Sequence, residues 1–156
     1  MKLKNDIGIR ETGPFSVEIL SDPENRQLLT LENSFLAEIG EEGLTEKKQE
    51  RLAQAIRDGR IVFFIAKQGC RWVGMCSVSR CFSTVTCTNT GVFDDFYIEP
   101  AFRGKGIARL LTRAAFDWCE DHGLGSISVC CAPCDERMYQ ALGFDTPLGK
   151  TFAKTI

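Results

Sequence analysis

The chain has 156 residues, 44% hydrophobic and 26% charged, which predicts a single domain over residues 1–156 with a sizeable core. The formal net charge is -2 and lysine and arginine form no long block, so nucleic acid is not expected as a partner. The stretch from Met1 to Arg10 lacks the apolar core of a signal peptide, and no run is long enough to cross a bilayer. We therefore predict a cytoplasmic protein without membrane contact.

The first predicted elements are a strand and two helices. Ser16 to Leu20 alternates in the manner of a strand, and a helix is expected to follow with Asp22 as its cap and Pro23 in its first turn. Leucine, phenylalanine and isoleucine then recur at helical spacing until two glycines end the helix. A second helix is predicted from Thr45, its cap, to Asp58.

Three strands are predicted in the middle of the chain. The continuous apolar run from Ile61 to Ala66 is typical of a central strand covered on both faces, and Trp72 to Ser79 is its hairpin partner. A polar, threonine-rich connection from Ser83 to Thr90 leads to a third strand, Val92 to Glu99, which ends at Pro100.

The last third of the chain predicts two helices and further strands. A long helix runs over about Gly104 to His122, followed by a strand from Ser126 to Cys131 and a short helix from Asp135 to Leu142. The tail from Phe144 to Ile156 is expected to supply one or two more strands. This order predicts an α/β (α+β) fold: a mixed, mostly antiparallel central sheet of about six or seven strands flanked by about four helices.

The segment from Phe93 to Ala108, FDDFYIEPAFRGKGIA, carries most of the chemical information. A strand ends within it, and the glycine turn Arg103-Gly104-Lys105-Gly106 opens directly into the long helix. The first amides of a helix have no internal partners and lie at the positive end of its dipole. Arg103, Lys105 and Arg109 add full charges, so the turn predicts a cradle for a diphosphate.

The spacing of this turn differs from that of two other phosphate loops. The nucleoside triphosphate loop needs four residues between its glycines and then Gly-Lys-Ser/Thr, and the dinucleotide fingerprint needs three glycines. The chain matches neither pattern. Taken alone, the residues leave open that these glycines only form a tight turn.

The segment resembles the GNAT superfamily of acyl-CoA-dependent N-acetyltransferases, whose signature is Gln/Arg-x-x-Gly-x-Gly/Ala. Arg103, Gly106 and Ala108 fill the three defined positions. Downstream, MYQALGF over Met138 to Phe144 is similar to the second recurring segment of the family, a tyrosine followed by Leu-Gly-Phe. The resemblance covers Ile61 to Phe144 and implies a GNAT-like acyl-CoA N-acyltransferase fold with acetyl-CoA as cosubstrate.

The resemblance also implies where the coenzyme binds. In the family, the strand before the signature splays away from the strand after the long helix, and the pantetheine arm of the coenzyme lies in the gap. The coenzyme-binding residues implied in this way are Phe96, Tyr97 and Ile98 for the pantetheine arm, and Arg103, Gly104, Lys105, Gly106, Ile107 and Ala108 for the diphosphate.

Direct attack of an amine on the thioester requires two proton transfers, one from the amine and one to the leaving thiolate. Tyr139 occupies the position of the acid in the family, with an ordinary aromatic core residue as the alternative. Asp94 and Asp95 are the candidates for the base. Strand alternation places their side chains on opposite faces, so at most one lines the cleft without a bulge.

The eight cysteines permit a rival function. In the absence of a secretion signal, we expect most of them to be small, buried, reduced side chains. Cys131 and Cys134 form a Cys-x-Pro-Cys run before a helix, where a thiol can be acidified for thiol-disulfide exchange. No metal is expected, because the single histidine, His122, lies in the last turn of a helix, where free carbonyls accept its proton.

The acceptor is not defined by these motifs. A small-molecule amine and a protein amino group both remain candidates, as does a non-catalytic acyl-CoA-binding regulatory domain that has no acceptor. A homodimer is compatible with the resemblance, because dimers are common in the family. The first two helices carry an acidic surface that is either an ordinary solvated face or one that favours a cationic amine. Its glutamates are Glu38, Glu41, Glu42, Glu46 and Glu50.

Overall fold

The computed structural model describes residues 10–155, with side chains described from residue 13 onward. The stretch from Met1 to Arg10, where we predict no signal peptide, lies outside the described residues apart from Arg10. Within the described range, the elements are β1 (Arg10–Thr12), β2 (Phe15–Ile19), α1 (Arg26–Glu38), α2 (Glu46–Arg57), β3 (Ile61–Gln68), β4 (Arg71–Ser83), β5 (Thr88–Ile98), α3 (Ile107–Asp121), β6 (Ile127–Val129) and α4 (Glu136–Leu142). Each of these helices is too short or too polar to span a membrane.

The six strands form one sheet in the order β1-β2-β3-β4-β5-β6. Neighbouring strands are antiparallel except β5 and β6, which are parallel. Parallel neighbours need a crossover connection, and α3 supplies it. The predicted mixed, mostly antiparallel sheet with flanking helices is confirmed.

Helices cover both faces of the sheet. On one face, Phe64 of β3 belongs to a core cluster that includes Leu111 of α3. On the other face, Phe63 packs in a second cluster with Leu28 and Leu31 of α1. The alternation of strand side chains explains why consecutive residues of β3 enter different clusters. As predicted, this strand is covered on both faces.

Helix α1 begins later than the sequence predicts, and Asp22 is not its cap. Asn25 caps the helix, and its Oδ1 accepts a hydrogen bond from the Gln27 amide at 2.9 Å. Asp22 Oδ1 instead accepts from the Glu24 amide at 3.0 Å in the preceding turn. Aspartate and asparagine are equally good caps, so residue type alone does not distinguish the two positions. In α2, Thr45 is the cap, as predicted.

The stretch from Ser83 to Thr90 is not a plain connection. Strand β4 runs to Ser83 and β5 starts at Thr88, so the two strands form a longer hairpin than predicted. This end of the hairpin is largely exposed; Phe82, for example, is 63% exposed. The ends of strands that cover no core need no apolar alternation, so the sequence does not predict this part of the hairpin.

The prediction of one or two strands in the tail from Phe144 to Ile156 is wrong for the described residues. Residues 144–155 contain neither helix nor strand, and Ile156 lies outside the described range. Leu148 and Phe152 are 80% and 89% exposed and do not pack on the sheet, whereas Phe144 packs against Phe93 of β5 with ring centroids 5.3 Å apart. The sheet has β1 at its opposite edge instead, an element that the sequence analysis does not predict.

The expectation that most cysteines are buried is also wrong. All eight are free thiols, but only Cys76 and Cys119 are buried, and Cys131 is half-buried. The other five are exposed. Burial of a cysteine follows from its place on a strand or helix face, and most of these cysteines lie in turns or on outer faces.

Candidate active site

Strands β5 and β6 separate partway along their length. Their parallel pairing joins Gly91–Phe93 to Ile127–Val129 and then stops, although β5 continues to Ile98. Beyond this point a cleft of about 800 Å³ is lined by residues of β5, α1, α4 and the start of α3. The splayed strands that the family resemblance implies are therefore present.

Most of the predicted site residues line this cleft. They are Asp94, Phe96, Tyr97, Ile98, Arg103, Gly104, Gly106, Ile107, Ala108 and Tyr139. Asp95 and Lys105 do not line it. The fold thus brings the glycine turn and Tyr139, which are distant in sequence, to the walls of one cavity.

The glycine turn places the start of α3 on the wall of the cleft. Gly104 and Gly106 have φ angles of 73° and 85°, in the left-handed region that favours glycine. Gly106 is the N-cap of α3, and its carbonyl accepts from the Leu110 amide at 3.2 Å. The amides before Leu110 therefore have no acceptor within the helix, which suits them to bind an anion.

Both basic side chains of the turn contact other parts of the chain. Arg103 Nε donates to the Ile98 carbonyl at 2.8 Å, and its Nη2 donates to Glu38 Oε2 at 2.5 Å. Lys105 Nζ lies 5.1 Å from the centroid of the Phe102 ring. Arg103 therefore connects α1 to the end of β5, and the turn offers mainly backbone amides to a ligand.

A β-bulge interrupts β5 at the predicted base residues. Tyr97 pairs with Met75 but Asp94 pairs with Ser77, so two residues of β5 lie opposite one residue of β4. Asp95, the first residue of the bulge, has a φ of 50°, which aspartate tolerates better than most residues. Ser77 Oγ donates to Asp95 Oδ2 at 2.5 Å and holds this conformation.

The bulge turns both aspartates toward the same face of the sheet. Phe93 and Phe96, on either side of them, both pack with the cluster on the α3 face. Asp94 and Asp95 therefore face α1, because the bulge that begins at Asp95 interrupts the alternation that would place them on opposite faces. Asp94 lines the cleft, whereas Asp95 lies behind it against Ser77.

The same region holds a buried glutamate that the sequence analysis misses. Glu32 of α1 is 5% exposed, and its Oε1 has no hydrogen-bond partner in the described part of the chain. Burial, followed by the charges of Asp95 and Asp94, raises the pKa of Glu32 to about 8. Burial also raises the pKa of Asp95 to about 6; the Ser77 hydrogen bond opposes this shift and the Asp94 charge adds to it.

Tyr139 lines the cleft from α4 within an aromatic cluster. Its ring centroid lies 6.4 Å from that of Phe93 and 6.1 Å from that of Phe96. Its hydroxyl forms no hydrogen bond with any described residue. Burial, followed by the charge of Asp135, raises the pKa of Tyr139 to about 12, so the hydroxyl keeps its proton at neutral pH.

The Cys131 to Cys134 run borders the cleft through Cys131. Burial raises the pKa of the Cys131 thiol, and the charges of Glu136 and Asp135 raise it further. This is the opposite of the shift that activates a cysteine for thiol-disulfide exchange. The two cysteines are free and unbridged. The Cys131 thiol therefore gives the rival redox function no support.

His122 contacts the end of its own helix. Its Nδ1 donates to the Trp118 carbonyl at 2.8 Å, and the two rings are stacked with centroids 4.3 Å apart. This is the carbonyl contact expected from its place in the last turn. Across residues 10–155, no group of three or more histidine, cysteine, aspartate and glutamate side chains is arranged to hold a metal ion.

The cleft between the splayed strands therefore has a glycine-capped helix start on one wall and a protonated tyrosine on another. The sequence profile described as the acetyltransferase (GNAT) family matches residues 25–144. The chain belongs to the GNAT family of acetyltransferases.

Solved structures share this fold at low sequence identity. Glucosamine-6-phosphate N-acetyltransferase from Arabidopsis thaliana has a TM-score of 0.74 at 16% identity, covering 92% of this chain and 99% of its own. An aminoglycoside acetyltransferase from an uncultured soil metagenomic sample has a TM-score of 0.80 at 15% identity, covering 92% and 97%. A predicted acetyltransferase from Clostridium acetobutylicum, solved with acetyl-CoA, has a TM-score of 0.74 at 15% identity, covering 90% and 96%. No curated protein sequence matches the chain.

Proposed function

We propose that the protein transfers an acetyl group from acetyl-CoA to a primary amine, which attacks the thioester directly. The observation that supports this most is that the glycine turn and the unpartnered Tyr139 hydroxyl lie on one cleft. Two structural relatives are named for the acceptors glucosamine-6-phosphate and aminoglycosides, and a third was solved with acetyl-CoA. The acceptor is a small-molecule amine or a protein amino group.

In this proposal the coenzyme lies along the unpaired edge of β5. Beyond Phe93, β5 has no strand partner on the β6 side within residues 10–155, so the backbone of Phe96 to Ile98 can pair with the amide groups of the pantetheine arm. The amides from Arg103 to Ala108 hold the diphosphate at the positive end of α3. Lys105 can swing from the Phe102 ring to a phosphate at little cost, because it is exposed and flexible.

The acetyl transfer then proceeds in one displacement. The neutral amine nitrogen attacks the thioester carbonyl carbon, the C–N bond forms, and the C–S bond breaks with its electron pair left on sulfur. The surplus proton of the amine passes to Asp94, which lines the cleft, and then to solvent. Tyr139 donates a proton to the departing thiolate and recovers one from solvent. An ammonium substrate thus gives an amide, the free thiol of coenzyme A and one released proton.

The test is thiol release from acetyl-CoA across a panel of primary amines, with wild type and Tyr139→Phe. Wild type should release thiol only when an acceptor is present. Tyr139→Phe keeps the ring contacts and removes a hydroxyl that has no hydrogen-bond partner among the described residues, so the melting temperature and coenzyme affinity should change little. Its kcat should fall about a hundredfold, the typical contribution of a positioned acid.

Comparison with Tyr139→Ala separates catalysis from packing. Wild-type turnover in Tyr139→Phe, combined with an unstable Tyr139→Ala, would make Tyr139 a core residue and reject the acid role. Coenzyme binding by wild type without turnover of any amine would reject acetyl transfer in favour of a regulatory acyl-CoA-binding domain.

A further inference from the structure

Three contacts hold the Arg103 guanidinium at one side of the cleft. Its Nε donates to the Ile98 carbonyl at 2.8 Å, and its Cζ lies 5.8 Å from the centroid of the Tyr97 ring. Its Nη2 donates to Glu38 Oε2 at 2.5 Å. Tyr97 and Ile98 end strand β5, whereas Glu38 is the last residue of α1. The guanidinium is therefore fixed on the sheet and forms an ion pair with the end of a helix.

The guanidinium lies on the α1 side of the sheet. The Tyr97 ring that it covers packs in the cluster with Leu28 and Leu31 of α1, whereas α3 packs on the opposite face. The charge of Arg103 is thus offset by Glu38 and is not left free for an anion at the start of α3.

The last turn of α1 has few other attachments. Leu28 and Leu31, earlier in the helix, are 0% and 2% exposed, but the last turn contains no buried residue. Phe35 packs against the cluster while only half-buried, and Ile39, which follows the helix, is 56% exposed. Among side chains 13–155, the pair with Arg103 is the one ion pair that involves a residue of α1. The position of this turn therefore depends strongly on that pair.

The same turn forms part of the cleft wall. Phe35, Glu38 and Ile39 line the cleft. In the proposed function the coenzyme occupies the edge of β5 and the start of α3, which leaves the α1 wall for the acceptor. A shift of the turn therefore changes the surroundings of the acceptor without altering the groups that hold the coenzyme.

We propose that Glu38 is a positioning residue: its ion pair with Arg103 fixes the last turn of α1 at the cleft and thereby orders the binding site of the acceptor. This inference rests on the proposed acetyl transfer. An exposed ion pair changes an equilibrium constant by up to about fivefold, because ordering two long side chains offsets much of the attraction. Ile98 and Tyr97 already order Arg103, so less of that cost remains and we expect an effect of about two- to fivefold.

Kinetics at saturating acetyl-CoA test the proposal with the primary amine that wild type acetylates fastest. Glu38→Gln keeps the shape of the side chain and removes its charge. The KM for the amine should rise about two- to fivefold, while kcat stays near the wild-type value because the reacting groups are unchanged. Glu24→Gln is the matched control. It removes the same charge from the exposed Arg57–Glu24 pair outside the cleft, and it should keep the wild-type KM.

Arg103→Gln distinguishes positioning from direct contact with the acceptor. If the pair acts through the position of α1, Arg103→Gln also raises the KM for the amine, and the double variant is no worse than either single variant. If Glu38 itself attracts the cationic amine, Arg103→Gln frees the carboxylate and lowers the KM, which overturns the proposal. Additive effects in the double variant, or a wild-type KM in Glu38→Gln, overturn it as well.

Hydrogen exchange separates a failure of this inference from a failure of the proposed reaction. The amides of Ile39 and Glu41 donate to carbonyls of α1 at 3.2 and 2.8 Å and report on its last turn. They should exchange about two- to fivefold faster in Glu38→Gln than in wild type, and at the wild-type rate in Glu24→Gln. Unchanged exchange in Glu38→Gln rejects the positioning role and leaves acetyl transfer intact. Faster exchange in a protein that acetylates no amine supports the positioning of α1 and rejects acetyl transfer.

Discussion

Glu32 makes the stability of the protein depend on pH. Burial, followed by the charges of Asp95 and Asp94, raises its pKa in the folded chain from 4.5 to about 8. Between these two values the folded state holds a proton that the unfolded chain releases, so the free energy of unfolding falls as pH rises. The stability contributed by protonated Glu32 is complete below the lower pKa and is lost as pH rises through the higher one.

Substitution of Glu32 by glutamine should remove this dependence. Relative to wild type, Glu32→Gln should gain stability with rising pH, by on the order of 2 kcal/mol between about pH 5 and about pH 9. Urea denaturation at a series of pH values measures the difference. Glu50→Gln should follow the wild-type curve. A difference between Glu32→Gln and wild type that stays constant across this range would contradict a raised pKa.

Single residues of the site differ in how well the sequence predicts them. The glycine turn and Tyr139 belong to short motifs that can be recognised from the sequence without knowledge of the fold. Glu32 belongs to no motif. Its one sequence signal is its position within the apolar stripe of α1, between Leu31 and Phe35, where a solvated glutamate is not expected. The carboxyl groups that face Glu32 belong to β5, and their directions depend on how β5 pairs with β4.

At the level of elements, the junction between the turn and α3 should control coenzyme affinity. Gly106 caps α3 with a φ of 85°, on the wall of the cleft. Gly106→Val introduces a branched side chain where a phosphate must approach the amides. The affinity for coenzyme A should fall at least tenfold, about 1.4 kcal/mol, as measured by calorimetry.

A second glycine provides the matched control for this substitution. Gly59 also has a positive φ, 66°, and a Cβ built there meets nothing within 4 Å. Gly59→Val therefore imposes comparable backbone strain away from the cleft, and should lower stability while leaving coenzyme affinity unchanged. Wild-type affinity in a folded Gly106→Val would show that the helix start does not hold the diphosphate.

Elements with a strong local pattern are predicted from sequence, whereas those set by pairing are not. The central strand β3 and the helices α2 and α3 have apolar periodicity and clear caps or glycine stops. The bulge in β5 has no such signal, because it arises from the register with β4 and from the Ser77–Asp95 hydrogen bond. This one irregularity brings to one face of the sheet two aspartates that regular alternation would place on opposite faces.

For the whole molecule, the order of elements predicts the sheet because the crossover through α3 allows few other topologies. The strands at the two edges of the sheet are harder to predict from sequence. The tail from Phe144 to Ile156 is predicted to form strands, but a strand also needs a free edge and a face to cover, and neither appears in the local sequence. On the described residues, the β6 edge is short and joins β5 through only three residue pairs.

The short contact between β5 and β6 leads to a prediction about the stability of the whole fold. A coenzyme that contacts β5, the start of α3 and α4 bridges elements that are otherwise splayed, and it binds the folded chain alone. At a concentration one hundred times its Kd, such a ligand stabilises the folded state by about 2.7 kcal/mol. For a chain of this length the melting temperature should rise by roughly 5–10 °C, as measured by differential scanning calorimetry with and without acetyl-CoA.

The contribution of the diphosphate can be separated within the same measurement. S-acetylpantetheine keeps the thioester and the arm but lacks the diphosphate, so at equal concentration it should produce a much smaller shift. With acetyl-CoA, the shift should shrink in Gly106→Val and persist in Gly59→Val, because only the former alters the turn on the cleft wall. Equal increases in melting temperature with acetyl-CoA and S-acetylpantetheine would show that the diphosphate does not bind at the turn. A wild-type protein that melts at the same temperature with saturating acetyl-CoA would reject the cleft as the coenzyme site.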